Sequence, residues 1–162
     1  MVENGADLPT VQKLLERVVQ SPRHLVALET ANVGDLLAQL RTLAMRGGPA
    51  VYLWEPDSGI ASLRESGLQV PGTKRLGDAL RYIAQSMHFG VYLFIGFIDA
   101  LRPADTVLLR RISRLHAGSE RKLVFVGGRF EPPEELDGMF ERMTVNDEQR
   151  RRLRLRDGRW LT

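Results

Sequence analysis

The stretch "VYLFIGFIDALRP", residues 91–103, poses the first chemical question in this sequence. A buried apolar strand that ends on an acid is how nucleotide-hydrolysing proteins hold a carboxylate beside magnesium, because only the strand end places it at the sheet edge. Val91, Tyr92, Leu93, Phe94 and Ile95 supply the strand, but the next position is Gly96. Asp99 follows three residues later, inside "DALRP". It reads as a turn or helix-initiating aspartate ahead of Pro103.

The phosphate-binding motifs are equally incomplete. A phosphate-cradling loop needs several glycines so that backbone amides can wrap the anion, a lysine for the outer phosphates and a hydroxyl for magnesium. "ETANVGDLL" (29–37) has Gly34 alone, with no lysine, serine or threonine after it, while Thr30 and Asn32 read as turn and capping residues. Asp35 stands where a helix begins, and its carboxylate would occupy the positive end of the dipole and repel phosphate. "VPGTKRLGD" (70–78) contains Gly72, Thr73 and Lys74, but no strand leads directly into it and the spacing is wrong, so it reads as the loop that starts a helix. His24, His88 and His116 share no spacing with each other or with a carboxylate pair, and there is no cysteine and no G-x-S-x-G elbow. Thiolate metal sites, disulfides, a catalytic triad and an imidazole metal site are all unsupported. No cofactor is expected, and an enzyme is the last of the readings.

The remaining chemistry is cationic. Arg110, Arg111 and Arg114 lie opposite the Leu108, Leu109, Ile112 and Leu115 face of one helix. A solvated helix face is the default for such a set, and a partner-docking or phosphate-contacting patch is the alternative. Arg129 follows a strand end and joins them as a candidate interaction residue. In "QRRRLRLRDGRW" (149–160), Arg151, Arg154 and Trp160 complete the set. That segment attracts nucleic acid or anionic lipid on one reading. On the preferred reading its leucines and Trp160 pack while its arginines pair with the acidic stretch just before it. The net charge of +3 is a property of this tail, since residues 150–162 hold six arginines against one aspartate. A body-wide basic face for duplex DNA is not indicated.

Positioning these residues requires a regular scaffold. At 162 residues the chain makes one ordinary domain, long enough to bury roughly two-thirds of its unfolded surface. Residues 1–8 read as a disordered leader, 9–149 as a single α/β domain and 150–162 as a basic segment. Helical stripes run through Val11, Leu14 and Val18; through Val33, Leu36, Leu40 and Leu43, closed by Gly47-Gly48; through Leu76, Ala79, Leu80, Ile83 and Met87; and through Leu108, Leu109 and Ile112. Strands are expected over His24–Glu29, 49–54, 90–97, 122–128 and 142–145, with "EPDSG" as a loop and "PPEEL" as a short helical turn. The strands are continuously apolar, which means burial on both faces. A three-layer αβα sandwich around a mainly parallel five-stranded sheet follows. Beyond it, Asn146 and Gln149 suggest a helical turn, and Asp157-Gly158 a small C-terminal hairpin. Tryptophan 54, ending a strand, reads as packing, with a stacking surface as the alternative. The first residues carry no secretory signal and no apolar run reaches the roughly 20 residues a membrane span needs, so a cytoplasmic protein without membrane insertion is expected.

The order of these elements resembles the core of an AAA+ ATPase over about residues 23–152. It is most similar to the N-terminal, P-loop-less half of AAA+ ATPases from chloroplast and cyanobacterial reading frames. The resemblance is carried by "LVALET" followed by "LLAQLRTLA", by "VYLWEPDSGI", "LGDALRYI" and "VLLRRISRL", and by "KLVFVGGRFEPPEEL" and "MTVNDEQRRRL". It implies a sheet of the AAA+ strand order and a regulatory or assembly role, and it carries over no catalytic residue. Where that family often keeps an aspartate after its third strand this chain has Gly96. Where active members keep a polar sensor after the fourth it has Gly127 and Gly128. The resemblance ends where an AAA+ lid would begin. The function expected is that of a non-catalytic, degenerate P-loop-like domain acting through a protein partner or homo-oligomer in a bacterial cytoplasm. Nucleotide sensing without hydrolysis and nucleic-acid binding through the C-terminal arginines are the alternatives.

Overall fold

The computed structural model of the protein describes residues 7–86, 89–115, 121–136 and 138–146. The first helix, α1 (Leu8–Gln20), begins at the last residue of the expected leader because Asp7 caps it: the carboxylate accepts a hydrogen bond from the Thr10 amide at 2.8 Å. Pro9, which has no amide to lose, sits in its first turn. Strand β1 (Leu25–Glu29) leads to α2 (Val33–Met45), and β2 (Val51–Glu55) turns back into β3 (Gly59–Ser62). Helix α3 (Leu76–Gln85), β4 (Gly90–Phe94), a 3-10 turn at Ile98–Ala100, α4 (Pro103–Ser113) and β5 (Arg121–Gly127) follow. A second 3-10 turn, Glu134–Leu136, precedes β6 (Phe140–Thr144), after which Val145 and Asn146 are helical.

These strands form one six-stranded sheet in the order β3-β2-β4-β5-β1-β6. Every neighbouring pair is parallel except β2 and β3. The sixth strand corrects the expected count of five. "EPDSGIAS" is a hairpin rather than a loop: Gly59 takes φ +73°, which only glycine adopts easily, and Ile60 then pairs with Trp54 and is buried. A strand this short, preceded by turn residues, has no periodicity of its own to announce it.

Alternate residues of each parallel strand serve two separate cores. Val26, Leu28, Leu93, Val124 and Val126 meet Leu14, Val18, Leu36 and Leu40 of α1 and α2. Leu25, Tyr92, Phe94, Leu123 and Phe125 meet Leu80, Ile83, Leu109 and Ile112 of α3 and α4. The three-layer αβα sandwich expected from the uninterrupted apolar strands is therefore the observed architecture. Trp54 is a core residue, 1% exposed, tilted against Phe94 with ring centroids 5.8 Å apart.

Polar side chains also close helix ends at the amino ends of the strands, where helices leave carbonyls without partners. Arg64 Nε donates to Ala44 O at 2.7 Å and its Nη2 to Gly48 O at 3.2 Å, closing α2. Buried His24 sets its Nε2 3.0 Å from Leu115 O, just past α4, and its Nδ1 2.7 Å from Arg121 O. Cationic groups at helix C-termini also complement the macrodipole.

Candidate functional site at the carboxyl end of the sheet

In open α/β sheets ligands lie beyond the carboxyl ends of the strands, so the loops after β1, β4, β5 and β6 are where chemistry would be placed. Between β1 and α2 only Thr30, Ala31 and Asn32 intervene. A phosphate-cradling loop takes roughly eight residues. The short turn is locked. The Thr30 amide donates to Gly127 O at 2.8 Å, the Asn32 amide to Thr30 Oγ1 at 3.2 Å, and the Asp35 amide to Asn32 Oδ1 at 2.9 Å. Asn32 thus caps α2 and occupies an amide that an anion would otherwise take.

After β4 the Ile95 amide is held by Trp54 O at 3.1 Å, and Gly96 takes φ +70°. A Cβ added there would lie 3.3 Å from Pro56 Cδ, so the position is doubly closed to an aspartate. Phe97, 2% exposed, turns inward and meets Phe125 and Phe130 edge-on, each at 4.9 Å. Asp99 lies exposed in the 3-10 turn beyond, as its turn reading requires. Gly127 and Gly128 differ from Gly96: a Cβ on either would meet nothing within 4 Å. Their lack of a side chain is not imposed by packing.

Two hollows lie among the described residues at this end. One, of about 160 Å³, is bounded by Glu29, Thr30, Gly128, Thr144 and Asn146, with a carboxylate and no cation in its wall. The other, of about 80 Å³, reaches Arg142, whose guanidinium bridges to Glu131 at 3.4 Å and donates to Phe130 O at 3.0 Å. Both are below the ~300 Å³ at which small-molecule sites begin. A larger concavity, about 630 Å³, is at the opposite end, between α1, the end of α2, Pro49 and Phe89, with Leu15, Val19 and Leu43 in its wall. Its walls come from distant segments, and only the Gly47-Gly48-Pro49 break after α2 could have hinted at it.

A family model described as "SpoVK-like AAA ATPase, N-terminal domain" matches residues 11–145, well over half of the chain. The chain belongs to this family. No curated protein and no solved structure matches it. The AAA+ resemblance read from the motifs is thus right at the level of an AAA+ ATPase-related domain, and the matched span includes α1, ahead of the motifs that carried that resemblance.

Among the described residues of this SpoVK-like N-terminal domain, the cationic candidates fall in two separate places. Arg111 and Arg114 lie exposed on α4 with Arg110 half-buried beside them, toward the amino end of the sheet. Arg129 is at the carboxyl end of β5, its Nε bridged to Glu131 at 3.2 Å. Arg151, Arg154 and Trp160 lie outside the described residues, as do the expected hairpin, the residues of the leader before Asp7, Met87, His88 and His116. Lys74 is exposed, while the Thr73 hydroxyl is buried and committed: it accepts from the Ile60 amide at 2.9 Å and donates to Val70 O at 2.7 Å. "VPGTKRLGD" is the loop leading into α3 and not a phosphate loop. Among the described residues, no group of three or more histidine, aspartate or glutamate side chains is placed to hold a metal ion. Nor is any helix among them long and apolar enough to cross a membrane.

Proposed function

We propose that this domain is a degenerate, non-catalytic member of the AAA+ group that works by protein–protein contact in a bacterial cytoplasmic assembly. The observation that carries the reading is the three-residue connection from β1 to α2, stapled to Gly127 and capped by Asn32. It has neither the length nor the free amides of a phosphate cradle, and Gly96 stands where the magnesium-holding acid would be. A scaffold can keep its architecture after losing its chemistry, and what it then offers to partners is surface.

The test is thermal denaturation of the whole chain with a panel of purine and pyrimidine nucleotides, each with magnesium, alongside a phosphate-release assay. The expected result is an unchanged Tm at millimolar nucleotide and no phosphate release. A ligand at a hundred times its Kd would add roughly 2.7 kcal/mol of stability. A shift of that size without hydrolysis would replace the proposal with nucleotide sensing. Salt-sensitive oligonucleotide binding that disappears when residues 150–162 are deleted would replace it with nucleic-acid binding.

A further inference from the structure

Helix α4 turns Val107, Arg111 and Arg114 to solvent at successive turns, with Arg110 alongside. Val107 is 57% exposed, and α3, packed beside α4, adds Tyr82 at 40%. Among the described residues none of the three arginines forms an ion pair. The turn Glu134–Leu136 packs onto the same helix, with Leu136 fully buried in the core that holds Leu109 and Ile112. Its Glu134 and Glu135 stay exposed and are likewise unpaired among the described residues. Glu131, by contrast, takes both Arg129 and Arg142.

Unpaired cations on α4 and unpaired acids on the turn packed against it complement a copy of the same two elements turned by a two-fold rotation, because each set then meets the opposite charge. We propose that the α4 face is an interface with a second copy of this chain, pairing Arg110, Arg111 and Arg114 of one protomer with Glu134 and Glu135 of its partner around the exposed Val107. The proposal rests on the reading of the domain as a protein-contact module and names the partner. A nucleic-acid strand fits the same arginines less well, since the two adjacent carboxylates repel a phosphate backbone.

Light scattering after size exclusion, on the full chain at micromolar concentration, reads the outcome. A dimer that weakens with salt is expected. The triple variant Arg110→Glu, Arg111→Glu, Arg114→Glu and the double variant Glu134→Lys, Glu135→Lys should each raise the dimer Kd by about tenfold or more. Mixed together, the two variants should pair, because both halves of the contact again carry opposite charge. Arg111→Glu alone, at an exposed position, repeats the test in a variant whose fold is checked by circular dichroism. A monomeric parent chain, a dimer indifferent to these reversals, or a duplex oligonucleotide held by the arginines of a monomer would each overturn the interface. The nucleotide experiment bears on the non-catalytic reading alone, so a monomer that also ignores nucleotide leaves that reading standing while this one falls.

Discussion

Arg121 and Lys122 are adjacent on β5, yet their side chains leave opposite faces of the sheet and close the C-terminal ends of two different helices. Arg121 Nη2 donates to Ser86 O, the cap of α3, and Lys122 Nζ donates to Ser21 O, the cap of α1, and to Arg23 O at 3.1 Å. Both residues are buried, at 7% and 6% exposure, so their charges are held by carbonyl dipoles rather than by water. With Arg64 on α2 and His24 on α4, each of α1, α2, α3 and α4 ends against a basic side chain. These four basic side chains are committed at the amino end of the sheet, away from the end where ligands of such folds bind.

Replacing Lys122 with methionine, which keeps the stem and removes the donor, should leave two carbonyls unpaired. A loss of about 1–3 kcal/mol in urea denaturation is expected, with an unchanged m-value. Arg121→Met should cost a similar amount, and the two losses should add, since the groups act on different helices across the sheet.

Restoring the missing acid with Gly96→Asp should fail twice. The φ of +70° and the 3.3 Å approach to Pro56 predict a loss of about 1–3 kcal/mol. Phosphate release from ATP should stay at background, because the turn after β1 still offers no cradle. Gly128→Asn, where a Cβ meets nothing, should change stability by no more than about 0.5 kcal/mol. Comparing the two melts separates a glycine required by the backbone from one that is not.

Thr73→Val should cost about 1–3 kcal/mol through the Ile60 amide and the Val70 carbonyl that it leaves unpaired. The loss should loosen the segment before α3, including the Thr73 carbonyl that accepts from Trp54 Nε1 at 2.8 Å. Hydrogen exchange at residues 60–73 reads that loosening directly.

Tyr92 gives a pH dependence. Burial, opposed by its hydrogen bond with Ser86, pushes its phenol from 10.0 up to about 12. Below pH 10 both folded and unfolded chains keep the proton and the group contributes nothing to the slope. Between pH 10 and about 12 the unfolded chain ionises first, so stability falls as pH rises and levels off above the folded value. A decline of about 3 kcal/mol across that window is expected, and Tyr92→Phe should remove it.

The α/β class was legible because continuously apolar strands at 51–54, 91–95 and 123–126 between helical stripes admit few other solutions. The departures from the phosphate-binding motifs were legible for a similar reason: a missing lysine, or a glycine in place of an acid, is a fact of composition at a position. Strand β3 was not, since Gly59–Ser62 depends on Ile60 finding cover beneath α3 and beside Trp54.

Residue types and their spacing decided by themselves which apolar stripes and strands are buried, how many layers the domain has and which reagents of phosphate chemistry it lacks. Hydrophobic periodicity reports burial at each position without reference to the partner. The tertiary structure decided the strand order, the separation of Arg129 from the arginines of α4, and the use of Arg121 and Lys122. In the sequence that pair reads as two charges ahead of an apolar strand. Only the fold brings the ends of α1 and α3 to either side of β5, and a backbone carbonyl, identical at every residue, leaves no mark in the sequence of where it will need a partner.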